Sequence, residues 1–197
     1  MNPIDPATTA LLIMDVQAGI LGRVEDGDGL VTRIAALQQD ARRAGAEVGY
    51  VRVAFSDEDF LAVPAYSSFA AIAADADLRA GMHESSPATQ IDPRVAPADG
   101  DIVVRKTRIG PFTTTDLQAA LVGRGVSTLV LTGISTSGVV LSTVRQAADL
   151  DYRIVVLEDA CADHDPEVHR FLMTRIFPSQ AEVVTVAQHF QAGAGMR

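Results

Sequence analysis

The chain has 197 residues, of which 48% are apolar, and a formal net charge of −9. That length suits one domain, 1–197, with a full hydrophobic core, and the apolar share is too high for a disordered chain. The acidic balance opposes sequence-independent nucleic-acid binding, and no apolar run approaches the ~20 residues of a membrane span. The single cysteine, Cys161, allows no intramolecular disulfide and leaves too few thiols for a structural zinc site. The opening MNPIDPATTA lacks a basic stretch followed by an apolar one, so no signal peptide is expected and a cytoplasmic location follows by default.

Along the chain, apolar runs alternate with helical patterns. Thr9–Val16 (TALLIMDV) is a continuous apolar run ending in a carboxylate, as expected of a strand buried on both faces. Leu30–Ala44 repeats apolar residues at helical spacing, with Gly45 where a C-terminal cap belongs. Glu47–Phe55 reads as a second strand. Residues 56–100 carry several Pro and Gly and read as an irregular cover over one end of the sheet. Asp101–Arg105 is a third strand, followed by a helix near Thr115–Val122. Thr128–Thr132 is a fourth, leading into a helix from about Ser137 to Asp149. Arg153–Leu157 is a fifth, Asp165-Pro166 opens a helix as cap and first residue, and Ala181–Val186 is a sixth.

Six apolar strands alternating with helices predict a three-layer α/β/α sandwich around a mostly parallel sheet. Ligands in such sheets bind beyond the carboxyl ends of the strands, near the topological switch point. That places Asp15, the Lys106 loop, Ser135–Val139 and Asp159 at one rim.

Asp15 follows five apolar residues, where a carboxylate is costly unless paired or hydrogen-bonded. It is either a cap or structural ion pair, or an acid–base group. Lys106 closes the third strand, as a solvated strand end or as a charge able to shift the pKa of Asp15. The turn TGISTSG then carries Gly133 and small hydroxylated residues into a helix near Val139. This is either an ordinary capped strand-to-helix turn or an oxyanion hole made from N–H groups at a helix start.

The motifs together resemble the isochorismatase-like hydrolase superfamily, also called cysteine hydrolases. The resemblance covers almost the whole chain: ALLIMDVQ at the first strand, K-x-R-x-x-x-F from Lys106 to Phe112, TGISTSG at the fourth strand and DACAD after the fifth. It implies a Rossmann-like α/β fold, catalytic roles for Asp15 and Lys106, and a non-proline cis peptide near Ile134–Ser135. It also implies oxyanion contacts from the N–H groups of Ser135 and Val139, and a homo-oligomer, either dimer or tetramer. Gln17 and Phe112 are implied to shape and support the pocket.

The amidases of this superfamily have a nucleophilic cysteine where this chain has Val139, which cannot form a thioester. Isochorismatases proper also lack the cysteine and cleave an enol ether, with the aspartate as general acid, though glycine is usual at that position. The reading is therefore a hydrolase of a small molecule using Asp15 and Lys106 without a covalent intermediate. Two alternatives stand beside it: an inactive relative kept for ligand binding or assembly, and an amidase using water activated by Asp15.

Cys161 is a substitute nucleophile by proximity, with His164 the base nearest in sequence, or a small core residue. The superfamily's nicotinamidases bind a metal through an Asp-x-His pair after the second strand. Here that region reads SDEDFLAVPAYSSF, and His83, His164, His169 and His189 are scattered without ligand spacing. No metal or cofactor is expected. Arg23, Phe55, Phe60 and Arg108 lie in loops able to contact a substrate, with Arg108 favoured for a carboxylate.

Overall fold

A computed structural model describes residues 4–188. The sheet is built from β1 (Thr9–Met14), β2 (Glu47–Val53), β3 (Ile102–Lys106), β4 (Thr128–Ile134), β5 (Arg153–Ala162) and β6 (Glu182–Val184). All neighbours pair in parallel, in the order β3-β2-β1-β4-β5-β6. Chain order therefore reverses direction between β1 and β4, which is the switch point of the sheet.

The continuous apolar run of β1 follows from this position. Ala10, Leu12 and Met14 pack on one face with Leu117, Leu121, Val144 and Phe177. Leu11 and Ile13 pack on the other with Leu30, Val31, Ile34 and Leu37. One layer is thus the Gly27–Ala44 helix and the other includes the Leu117–Gly123 and Leu141–Asp149 helices. Each fully buried Leu or Ile contributes roughly 1.5–3 kcal/mol, so the strand stays apolar from Ala10 to Met14, until Asp15 just past its end.

The predicted elements are present, with differences at their edges. Residues 56–100 are less irregular than expected and hold three short α-helices, Asp57–Leu61, Ala70–Ala74 and Ala76–Met82. Ser56 and Asp59 form a reciprocal capping box on the first of these. β5 continues five residues past Leu157, because its register with β4 shifts: Leu131 pairs Val156, whereas Gly133 pairs Cys161. The predicted helix at Ser137 begins with a wider, π-type turn at Thr136–Val140. β6 is confined to Glu182–Val184 within the predicted Ala181–Val186. Among the described residues, no helix is long and apolar enough to cross a membrane.

Candidate active site

The switch point brings three chain segments to one rim. Asp15 leaves β1 with φ +53 and donates its N–H to the Val51 carbonyl, 2.8 Å away on β2. Left-handed backbone is tolerated by Asp better than by most side chains, and it turns the chain away from the strand direction at this point. Lys106 ends β3, two strands away. Its Nζ lies 2.8 Å from Asp15 Oδ2 and 3.3 Å from the carbonyl oxygen of Arg108. Both side chains are almost wholly inaccessible, at 3% for Lys106 and 7% for Asp15. Burial raises the Asp15 pKa, the ammonium of Lys106 opposes that, and the outcome is a carboxyl group at about 6. Asp15 Oδ1 is buried and has no hydrogen-bond partner among the described residues.

β4 supplies the third segment. Gly133 has φ +130 and is paired to Met14, and a Cβ there would overlap the Met14 carbonyl oxygen. Only glycine allows β4 to approach β1 so closely at the strand end. The Ile134–Ser135 peptide is cis. Ser135 accepts the N–H groups of Gly138 and Val140 at its carbonyl, closing the turn that carries Val139. Thr143 Oγ donates to the Val139 carbonyl at 2.7 Å, which fixes the turn to the following helix.

A cavity of about 520 Å³ opens over this rim, with Asp15, Lys106, Ser135, Gly138 and Val139 in its wall. The rest of the wall is mainly apolar, with Ile20, Val53, Phe69 and Ile109. Arg23 and His164 are also in the wall. Asp163 lies beneath His164, with its side chain at 0% exposure, and its Oδ1 is 2.8 Å from His164 Nδ1. Its Oδ2 accepts the Ser137 N–H at 2.7 Å. Burial alone would raise the Asp163 pKa, but the hydrogen bonds from Ser137 prevail and hold it below the ordinary carboxylate value.

A family model, that of the isochorismatase domain, matches residues 9–188. The chain belongs to the isochorismatase family of hydrolases. It is 33% identical to the uncharacterized isochorismatase family protein YecD of Escherichia coli, over 98% of this chain and 100% of that protein. It is also 33% identical to the ureidoacrylate amidohydrolase RutB of Methylobacterium radiotolerans, over 88% of this chain and 74% of that protein. Among solved structures, an isochorismatase family protein from Burkholderia thailandensis superimposes with a TM-score of 0.77 at 29% identity, over 96% of this chain and 97% of that one.

Within this isochorismatase-family fold, the expected residues divide. Asp15, Lys106, Ser135 and Val139 converge on the cavity. Four others do not reach its wall. Gln17 is 1% exposed and donates from Nε2 to the carbonyls of Val53 and Thr89, while its Oε1 accepts the Val53 N–H. It ties the ends of β1 and β2 to the 56–100 segment and holds Val53, rather than contacting the cavity itself. Phe112 packs against the core beside Tyr152, with ring centroids 6.3 Å apart. Arg108 donates its guanidinium to the Thr107 carbonyl oxygen at 2.6 Å, and its neighbour Ile109 takes the place in the wall. Asp159 accepts the Val186 N–H at 2.8 Å.

Of the loop residues, Phe55 and Phe60 stack on each other inside a small cluster, and Phe69, at 5.3 Å from Phe55, reaches the cavity from it. Cys161 is 5% exposed and its thiol is pushed up to about 12, by burial first and by the charge of Asp159. It is a core residue of the β4–β5 face. His83 pairs weakly with Asp57 at 3.9 Å, His169 Nδ1 lies 2.7 Å from Thr136 Oγ, and His189 lies outside the described residues. One signal for the site went unused in the sequence. Lys106 is the sole lysine among 16 Lys and Arg residues, so every other cation on the chain is arginine. The Lys106 ammonium is a compact point charge on a flexible stem, unlike the planar guanidinium fork of the others.

Proposed function

We propose that this hydrolase cleaves a small molecule at an enol ether or related C–O bond, with Asp15 as general acid and no covalent intermediate. The observation that carries this reading is the pairing of Val139 with Asp15. Val139, in the turn after β4, carries no nucleophile, while a buried carboxyl group with a pKa raised to about 6 lies in the same cavity. Such a group keeps a useful protonated fraction near neutral pH.

In this mechanism the proton of Asp15 goes to the terminal carbon of the vinyl ether, leaving an oxocarbenium ion. Water adds to the oxygen-bearing carbon and gives up a proton to the Asp15 carboxylate. The hydroxyl proton of the resulting hemiketal passes to the leaving oxygen as the C–O bond breaks, giving a carbonyl compound and an alcohol. Lys106 holds the carboxylate that forms in between, at 2.8 Å, so the charge-separated state is stabilised without a covalent bond. The N–H groups of Ser135 and Val139 serve oxygen atoms of the substrate.

A second reading is favoured by the likeness to a ureidoacrylate amidohydrolase along 88% of the chain. There Asp15 acts as its carboxylate and activates water against a C–N bond. The two readings give opposite pH limbs. Turnover by the acid falls as pH rises through about 6, whereas turnover by the base rises through it. A screen of vinyl ethers, ureides and amides, followed by a pH–rate profile on the best substrate, decides between them. Intact-protein mass spectrometry during turnover is expected to find no covalent adduct; an acyl-enzyme would refute both readings. Absence of turnover on all three classes would favour a ligand-binding relative instead.

A further inference from the structure

We infer that Arg23 forms a carboxylate-binding subsite at the mouth of the cavity, so that the substrate is a small monoanion with an apolar body. This rests on the cavity being the substrate site and adds the class of molecule it takes. Arg23 follows the short Ala18–Leu21 helix after β1 and lies in the same wall as Asp15 and Val139. Its guanidinium has no hydrogen-bond or ion-pair partner among the described residues, in a chain where acidic groups outnumber basic ones by 25 to 16. Other arginines near the sheet ends are engaged: Arg105 with Asp59 and Glu84, and Arg108 with the Thr107 carbonyl oxygen.

Charge arithmetic inside the cavity points the same way. Lys106 and Asp15 neutralise each other at 2.8 Å, so the inner site carries little net charge when both are ionised. Arg23 then sets the sign of the mouth. His164, also in the wall, has Nδ1 2.8 Å from the buried Asp163 carboxylate, which offsets positive charge on its ring. The wall between them, from Ile20, Val24 and Phe69, suits an apolar body rather than a sugar or a polyphosphate. One guanidinium fork matches one planar carboxylate in bidentate fashion, whereas a phosphate dianion needs further positive charge that this wall does not supply.

The test is equilibrium binding, which needs no turnover. Crotonate, pyruvate and benzoate, with the amide of each and with phenyl phosphate, are titrated calorimetrically into the wild type, Arg23→Gln, Arg108→Gln and Asp15→Asn. At least one carboxylate is expected to bind the wild type more tightly than its amide, with phenyl phosphate no better than benzoate. Arg23→Gln should lose about tenfold or more of that preference, and Arg108→Gln should stay within about twofold. Asp15→Asn should retain the preference even where it has lost activity, which separates failure of the subsite from failure of the catalytic reading. The inference falls if no carboxylate is preferred over its amide, if Arg23→Gln binds as the wild type does, or if phenyl phosphate is the tightest probe. Circular dichroism on Arg23→Gln, an exposed position, verifies that lost binding is not lost folding.

Discussion

Two carboxylates end up buried at the carboxyl ends of strands in this molecule, and they are pulled in opposite directions. Asp15, past β1, has a single cation 2.8 Å from one oxygen, and burial raises its pKa to about 6 against the opposing pull of that cation and of the Val53 backbone. Asp163, past β5, is surrounded by donors: the Ser137 and Asp165 N–H groups and the ring of His164. Its pKa falls. Burial pushes both up, more strongly at Asp15, and only at Asp163 do the donors supplied in return for lost water outweigh it. Backbone donors fix a carboxylate permanently as an anion and so fix the turn that donates to it. A lone ammonium leaves the carboxyl group poised between its two states, which is what proton transfer requires.

Substitution at Asp15 should have the largest effect. Asp15→Asn keeps the shape and removes the exchangeable proton, and turnover on the substrate found should fall by ~10²–10⁴. A loss of only a few-fold would place the proton elsewhere. The next effect concerns what holds the value near 6. In Lys106→Met burial of Asp15 loses its main opposition, so its pKa should rise further and the limb assigned to it should move to higher pH. A pH–rate profile of the variant checks the shift, and an unmoved limb would assign it to another group.

At the other carboxylate, Asp163→Asn should leave catalytic pH dependence in place and cost stability instead, roughly 1–3 kcal/mol in urea unfolding at pH 7. The signs with pH differ between the two. A depressed Asp163 contributes stability that is present above the unfolded carboxylate value and is lost as pH falls through its lower folded value. The gap between wild type and Asp163→Asn should therefore close in acid. The raised Asp15 contributes stability that is complete below about pH 4 and is lost as pH rises through about 6, so that part of the wild-type slope should be absent from Asp15→Asn. The smallest effect is expected at the thiol. Cys161 in the native wild type should resist iodoacetamide, and Cys161→Ala should turn over as the wild type does. A Val139→Cys thiol, in the cavity wall beside Asp15, should alkylate faster than Cys161.

The strand cores were legible in the sequence because both faces of a parallel sheet are covered, leaving an uninterrupted apolar run such as Leu11–Met14 that ends where the chemistry starts. Asp15 and the glycine turn stood out for that reason. What the sequence did not convey is where loops direct their side chains. Arg108 and Arg23 are both loop arginines, with Arg108 the favoured one on paper, and only the fold commits Arg108 to a carbonyl oxygen and leaves Arg23 at the cavity. Phe69 was hidden in the same way, in a segment whose Pro and Gly content masked three short helices. The extension of β5 was concealed by its register shift against β4, which also carried Cys161 into the core and Asp163 under the turn.

The strand order has one more consequence, for how the molecule can be watched as it forms. Asp15 and Lys106 come from β1 and β3 on one half of the sheet, and the turn at Val139 comes from β4 on the other. Within the sheet those halves are joined by the pairing of β1 with β4, whose partners are more than a hundred positions apart in sequence, as Met14 and Gly133 are. Contacts of such long range are slow to form. A chain with either half folded alone would contain helices and strands but no complete site, so regained turnover during refolding reports the closing of that central seam, which a helix signal in the far ultraviolet does not.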